Sequence, residues 1–376
     1  MTGSSSPGRV LSDIAAFGIP GARTPEPFAP DPVEWETLRV QILAQRVTGL
    51  AMASADSGWL KLEDEQRERL LDDHRDAMTW SVRVEQKLMR LADLFDAARI
   101  AFAVLKGASV GQTAYAEPCL RSFADVDLLV RTTDYERACA RLDANGHVRQ
   151  RPEPRPHFEV RFGKASVHED PADGIEVDLH RTLVLGPFGL WIDPDEMLDR
   201  AVPFPLGGRQ LPRLDDSGMF VNVAMHAALG CEPARLVPLR DVAELAAGSA
   251  LDACLLREWC DRWHLNGVLR NAARQVRERL GVHVAMLAEC ERLTVGARDE
   301  RLLEAYSARR HAGGTATAAL AAIPGMRTKA AYIWALMVPR REFLRARTPA
   351  RATYPMRWRS VLDRLRVPID RERNDA

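Results

Sequence analysis

The chain has 376 residues, of which 46% are hydrophobic and 28% are charged. This length and composition exclude a largely disordered protein and predict two or three globular units. The 52 basic and 52 acidic residues balance, which excludes a global attraction to nucleic acid or to an anionic membrane, and the six cysteines form no CxxC pair that would indicate a zinc site.

The N-terminus begins with a Ser/Gly-rich stretch and continues with several prolines. This composition predicts a flexible or extended segment over residues 1–34. The first residues, from Met1 to Pro7, do not form a basic region followed by an apolar core, as a secretion signal would, so we expect a cytoplasmic protein. The most apolar late stretch, residues 330–339, is far shorter than the roughly 20 residues of a membrane span, so no membrane partner is expected.

Two helical patterns follow. Apolar residues recur mostly at spacings of three and four from Trp35 onward, and a second, stronger stripe extends from about Glu63 to Ala98. The second stripe consists of Leu70, Ala77, Val84, Leu88, Leu91 and Phe95. We therefore predict an N-terminal helical segment over residues 35–98.

The next segment, residues 99–212, alternates between strands and helices. An apolar strand over residues 100–105 ends in Lys106-Gly107, where a helix is expected to begin. A second strand over residues 126–130 leads into a helix that ends at Asn145-Gly146.

A β-hairpin is predicted over residues 157–179. Alternation of Phe158, Val160 and Phe162 with polar residues indicates its first strand, and the strict alternation of residues 175–180 indicates its second. His168, Glu169 and Asp170 are expected at the solvated surface of the hairpin.

Helical patterns dominate residues 213–376. Four helices are predicted, over residues 219–229, 239–247, 251–263 and 268–280. An Arg-rich tail begins at about Arg340. The predicted fold is therefore α+β: a small mixed β-sheet core over residues 99–212, flanked by N-terminal helices and a C-terminal helical bundle.

Asp125, Asp127 and Asp178 are the candidate metal ligands and catalytic residues. Asp125 and Asp127 lie two positions apart on a strand, so their side chains leave the same face, and Asp178 has the equivalent position on the strand over residues 175–180. Adjacent carboxylates repel each other unless a cation lies between them, so this pattern favours a Mg²⁺ site. Such a site suits a two-metal displacement at a triphosphate.

Phosphate donors are expected at the junction of strand and helix. The backbone amides of Gly107, Ala108 and Ser109 could face an anion there, and Lys106 and Arg121 could add positive charge. Lys106 could instead solvate a strand end, and Arg121 could instead form an ion pair with one of the aspartates.

The order of these motifs resembles a known family. L-K-G at residues 105–107, R-x-x-x-D-V-D-L-L-V at residues 121–130 and I-E-V-D-L-H at residues 175–180 are similar to the polymerase-β nucleotidyltransferase superfamily, in particular to the poorly characterised bacterial family NTP_transf_5. The similarity extends through His226, Arg235-Leu236 and Asp241-Val242-Ala243 in the helical part. We interpret His226, Arg235 and Asp241 as a hydrogen-bonded link between helices, with substrate contact as the alternative.

The resemblance implies that Asp125 and Asp127 bind two Mg²⁺ ions, and that Asp178 binds the catalytic ion and serves as, or orients, the base. Where many members have Gly-Ser or Gly-Gly, this chain has Gly107-Ala108, so backbone donors are expected to replace a hydroxyl. His180 is interpreted as a strand histidine, with metal ligation as the alternative.

The function implied is transfer of an NMP from an NTP, foremost ATP, to a hydroxyl or phosphate acceptor with release of pyrophosphate. Relatives near peptide natural-product genes favour a peptide or small-molecule acceptor over nucleic acid. Two alternatives stay open: a non-catalytic nucleotide-binding adaptor, and a metal-dependent phosphohydrolase that uses the same carboxylates.

Overall fold

The computed structural model describes residues 7–230, 235–248, 250–307, 318–320 and 322–347. Within these residues a mixed sheet of seven strands lies among helices, which confirms the predicted α+β class. The boundaries proposed above between helical segment, sheet domain and C-terminal helices stay predictions.

The secondary structure follows the predicted alternation. The first nine helices are α1 (Pro7–Ala16), α2 (Pro32–Gln45), α3 (Thr48–Asp56), α4 (Asp64–Ala97), α5 (Ala108–Thr113), α6 (Tyr135–Ala144), α7 (Phe158–Phe162), α8 (Gly186–Trp191) and α9 (Pro194–Asp199). The C-terminal helices include α10 (Asp216–Leu229), α11 (Leu236–Gly248), α12 (Ala253–Trp263), α13 (Asn266–Leu280), α14 (Ala285–Glu291), α15 (Ala297–Ser307), α16 (Met326–Met337) and α17 (Arg341–Arg347). The strands are β1 (Phe102–Val104), β2 (Asp125–Val130), β3 (Val148–Arg149), β4 (Ala165–Asp170), β5 (Ile175–His180), β6 (Val202–Leu206) and β7 (Arg209–Arg213).

The strand order is β3-β4-β5-β2-β1-β7-β6. The pairs β2–β5 and β1–β7 are parallel, and the other neighbours are antiparallel. The two strands that carry the predicted carboxylates are therefore direct neighbours in the centre of the sheet.

Each face of the sheet packs against its own core. Val126, Leu128 and Val130 of β2 lie in a core that includes residues of α4 and α6, whereas Leu129 lies in the larger core that the C-terminal helices build. Because side chains alternate along a strand, Asp127 leaves the sheet on the same face as Leu129. The carboxylates thus lie on the face that carries the C-terminal helices.

The N-terminus departs from the prediction. Helix α1 lies within the segment predicted to be flexible or extended, and its Val10, Leu11 and Ile14 are buried. Arg240 of α11 donates hydrogen bonds to the carbonyl oxygens of Ala15 (2.9 Å) and Phe17 (2.5 Å). The prediction is wrong here because Val10, Leu11 and Ile14 recur at helical spacing, and their burial stabilises α1 before the run of prolines that begins at Pro20.

Residues 35–98 contain three helices where two were predicted. The chain leaves α2 at Arg46, whose φ of 58° lies in the left-handed region, and starts α3 two residues later. Asp31 caps α2 with a capping box, so the helix begins before Trp35. The long second helix is confirmed as α4.

The alternating segment that begins at Phe158 is a helix, α7, and not the first strand of the hairpin. Phe158 and Phe162 lie four residues apart and both contact the ring of Tyr332 in α16, at centroid distances of 5.7 and 5.1 Å. Alternation of aromatic residues suits either a strand or one helical turn, and this distant contact favours the helix. The hairpin is formed by β4 and β5 instead.

A hairpin that was not predicted completes the sheet. Strands β6 and β7 join through Gly207 and Gly208, which both have positive φ values, and β7 pairs with β1. Pro203 and Pro205 argue against a strand in the sequence, so β6 was not predicted. They are tolerated because β6 is an edge strand.

The Arg-rich tail is described only in part. Arg340, Arg341 and Arg345 lie within the described residues, whereas Arg351, Arg357 and Arg359, together with Tyr354 and Trp358, lie outside them. No helix in the described residues is long and apolar enough to cross a membrane.

His168 contradicts the prediction of a solvated hairpin, because its side chain is fully buried in β4. Its Nε2 lies 3.0 Å from the Ser166 hydroxyl, and its Nδ1 has no hydrogen-bond partner in the described part of the chain. Burial lowers the pKa of His168 from 6.5 to about 4, against the opposing charge of Asp143.

The buried imidazole is expected to make folding pH-dependent. Between about pH 6.5, the usual pKa of histidine, and about pH 4, the pKa of buried His168, the folded state binds fewer protons than the unfolded state. The unfolding free energy is therefore unaffected by His168 above about pH 6.5 and declines as the pH falls toward about 4. Between about pH 7.5 and about pH 5, we expect His168 to account for a loss of about 2 kcal/mol in unfolding free energy. Urea denaturation of the wild type and of His168→Gln measures it, and parallel pH curves for the two proteins would contradict it.

Candidate active site

The site is built on the parallel pair β2 and β5. Asp127 and Asp178 are direct partners in the register of these strands, and Asp125 is the partner of Glu176. The apolar residues of β5, Ile175, Val177 and Leu179, are buried in the core on the opposite face. The alternation seen in both strands therefore brings the two aspartates together.

Asp127 is the centre of the cluster. One carboxylate oxygen lies 2.9 Å from Lys106 Nζ, and the other lies 2.9 Å from His180 Nε2. Only 3% of Asp127 is exposed. Burial disfavours its charge, but Lys106 and the His180 hydrogen bond outweigh burial and hold the pKa of Asp127 well below its usual range. The carboxylate is therefore ionised.

Asp178 has the opposite environment. It makes no hydrogen bond or ion pair within the described residues, and burial together with the charge of Asp127 raises its pKa. Oxygen atoms of Asp127 and Asp178 and a ring nitrogen of His180 lie within 4.8 Å of one another. The pair thus combines one ionised carboxylate with one that binds a proton more readily.

Asp125 lies on the same face of β2, two residues before Asp127, and is partly exposed. It is not among the groups that meet within 4.8 Å, but its charge acts on both Lys106 and Asp178. The structure therefore brings Asp127 and Asp178 together as predicted, adds His180, and places Asp125 at the rim.

The Lys-Gly turn joins β1 to α5 next to these carboxylates. Gly107 directly precedes α5 and has a φ of 64°. At this φ, any residue with a side chain would have a strained backbone. Burial opposes the charge of Lys106, but Asp127 and Asp125 outweigh it and raise the pKa of its ammonium group. The Ser109 hydroxyl, fully buried, lies 3.4 Å from the carbonyl oxygens of both Val104 and Lys106 and is directed at the backbone.

Arg121 is not placed among the phosphate donors. Its Nε and Nη2 donate to the two carboxylate oxygens of Asp241 at 2.7 Å each, and Tyr115 donates to the same carboxylate at 2.8 Å. Asp241 therefore links α11 to the segment between α5 and β2 and does not join His226 and Arg235 as predicted. The alternative ion pair with Asp125 or Asp127 is also not formed.

One residue near the cluster, Lys164, was not predicted, and a second, His226, was predicted as part of a link between helices, with substrate contact as the alternative. Lys164 precedes β4, and its charge acts on Asp127 and Asp178. His226 lies on α10, four residues after Asn222, whose side chain donates to the carbonyl oxygen of Leu105 at 3.2 Å. Burial, with Lys106 and Lys164, lowers the pKa of His226 well below its usual value, so its imidazole is neutral.

These residues fit a hard divalent cation. The two neighbouring carboxylates offer the oxygen ligands that such cations prefer, and the unpartnered Asp178 beside the ionised Asp127 is the kind of charge that a cation compensates. His180 orients Asp127 through its Nε2, as residues behind metal ligands commonly do.

A mixed sheet with carboxylates on neighbouring parallel strands, next to a Lys-Gly turn, defines a nucleotidyltransferase-type site. Residues 31–281 match the model of a family described as uncharacterised nucleotidyltransferase. Because this match covers well over half of the chain, the protein belongs to that family, as its motifs predicted.

Other comparisons add little. The crystal structure of an antigenic nucleotidyltransferase-like protein from Paracoccidioides brasiliensis is 15% identical to this chain, with a TM-score of 0.26 over 52% of this chain and 92% of that one. No curated protein matches the sequence.

Proposed function

We propose that this protein transfers an NMP from an NTP, foremost ATP, to a hydroxyl or phosphate group of a small-molecule or peptide acceptor, and releases pyrophosphate. The observation that carries the proposal is the register of β2 and β5, which sets Asp127 beside Asp178 with His180 next to them. Family membership supports the reaction class.

Asp127 and Asp178 would hold Mg²⁺, with Asp125 completing the set from the rim. When bound, the ions supply charge neutralisation at the triphosphate and activation of the acceptor hydroxyl. His180 keeps the Asp127 carboxylate in place, and Lys106 contributes positive charge beside it. The amides of Gly107, Ala108 and Ser109 remain proposed phosphate donors.

Asp178 is the proposed base. It accepts the proton of the acceptor hydroxyl, whose oxygen forms a bond to the α-phosphorus, while the bond from the α-phosphorus to the bridging oxygen breaks and pyrophosphate leaves. The nucleophile belongs to the acceptor, so the protein itself is not modified.

The reaction is tested with ATP labelled at the α- or at the γ-phosphate. The protein is incubated with Mg²⁺ and a deproteinised cell extract as the source of acceptors. We expect the α-label in a new product and the γ-label in pyrophosphate.

The labels also separate the alternatives. Release of the γ-label as orthophosphate without an acceptor would indicate a phosphohydrolase. Binding of ATP in calorimetry without movement of either label would indicate the adaptor. Either result contradicts the proposed transfer.

A further inference from the structure

The backbone of Lys164 is held by hydrogen bonds next to the carboxylate cluster. Its carbonyl oxygen accepts hydrogen bonds from the amides of Arg181 (2.8 Å) and Thr182 (3.2 Å), directly after the end of β5. The next residue, Ala165, is the register partner of His180. Lys164 thus immediately precedes β4, beside the end of β5 that carries His180.

No hydrogen bond or ion pair holds the ammonium group of Lys164 in the described part of the chain, and the residue is partly buried. Its charge acts on Asp127 and Asp178, and on His226 of α10. Burial lowers the pKa of Lys164 despite the attraction of Asp127, and the like charge of Lys106 lowers it further. A cation buried without an ion pair is costly, and the arrangement suits a site that receives an anion.

Lysine is rare in this chain compared with arginine. Only five of its 52 basic residues are lysines: Lys61, Lys87, Lys106, Lys164 and Lys329. Lys87 forms ion pairs with Asp170 and Asp173, and Lys106 forms one with Asp127. A lysine presents a compact point charge, which suits phosphate groups that shift during a reaction, whereas arginine imposes a planar fork.

From these observations we infer that Lys164 binds the triphosphate of the nucleotide. This inference rests on the proposed function and adds to it a residue that neither the motifs nor the family match identifies. Asp127 takes up one of the three donors of Lys106, whereas no hydrogen bond or ion pair within the described residues takes up a donor of Lys164, so its ammonium group is available to phosphate oxygens.

Calorimetry with two probes tests the inference: the non-hydrolysable analogue α,β-methylene-ATP and inorganic tripolyphosphate, each with Mg²⁺. Lys164→Met is expected to weaken the binding of both by on the order of 10- to 100-fold. Lys164→Arg, which keeps the charge, should lose less. Lys61→Gln is the matched control, because Lys61 is exposed and lies outside the site, and it should bind both probes like the wild type.

Thermal unfolding separates binding from folding. Removal of a partly buried charge that has no ion pair should leave the melting temperature of Lys164→Met unchanged or raise it, and in that case weaker binding does not come from unfolding. Equal binding by Lys164→Met and the wild type would overturn the inference alone. A loss for the ATP analogue without a loss for tripolyphosphate would also overturn it, by placing Lys164 at the base or sugar. If the wild type binds neither probe, the proposed function fails as well.

Discussion

Asp127→Asn is expected to lower NTP turnover at least about 1,000-fold, which corresponds to about 4 kcal/mol in the activation barrier. Asp127 is the one carboxylate that contacts Lys106, lies beside Asp178 and accepts a hydrogen bond from His180. Asparagine keeps an oxygen for these neighbours but removes the charge. Release of pyrophosphate from labelled ATP, at equal concentrations of folded protein, measures the effect.

Glu176→Gln provides the control for this prediction. Glu176 lies on β5, on the same face as Asp178, but it is exposed and makes no ion pair within the described residues. We expect near wild-type turnover for this variant. Equal turnover by Asp127→Asn and the wild type would remove Asp127 from the reaction and with it the role proposed for the cluster.

The second large effect is expected on stability. Asp241→Leu should lower the unfolding free energy by about 3–5 kcal/mol, because it leaves the Arg121 guanidinium buried without its partner. Arg121 is 5% exposed and Asp241 is 1% exposed, and the two form a bidentate pair. Tyr115 loses its hydrogen-bond acceptor in the same variant. Chemical denaturation followed by circular dichroism measures the loss.

The double variant Arg121→Met, Asp241→Leu separates the charge from the packing. It removes both charges and should recover at least about 2 kcal/mol of the loss, since a buried ion pair can be replaced by apolar residues at little cost. If the single Asp241→Leu variant loses less than about 1 kcal/mol, the pair does not hold α11 to the segment between α5 and β2 as described.

The carboxylates could be predicted because their evidence is local. Alternation along residues 175–180 determines which face Asp178 occupies, and the spacing of Asp125 and Asp127 does the same on β2. The parallel pairing that joins Asp127 to Asp178 could not be derived from these patterns. The 44 residues from 131 to 174 separate the two strands, and only the motif order of the family suggested that they meet.

The errors arose where distant contacts decide the structure. Phe158 and Phe162 form a helical turn because Tyr332, far along the chain, packs against both rings. Arg121 binds Asp241 because α11 lies over the start of β2, which no local pattern reports. Lys164 is one of only five lysines, which is weak evidence for a special role. Its position beside the cluster follows only from the β4–β5 pairing.

The central claim is that Asp127 and Asp178 bind divalent metal together with a nucleotide. A crystal structure with Mn²⁺ and α,β-methylene-ATP tests it most directly, because Mn²⁺ replaces Mg²⁺ at oxygen ligands and its anomalous scattering locates it. We expect a Mn²⁺ peak within bonding distance of carboxylate oxygens of both aspartates and of the triphosphate. A nucleotide bound elsewhere, or a well-ordered nucleotide with no metal between Asp127 and Asp178, would contradict the account.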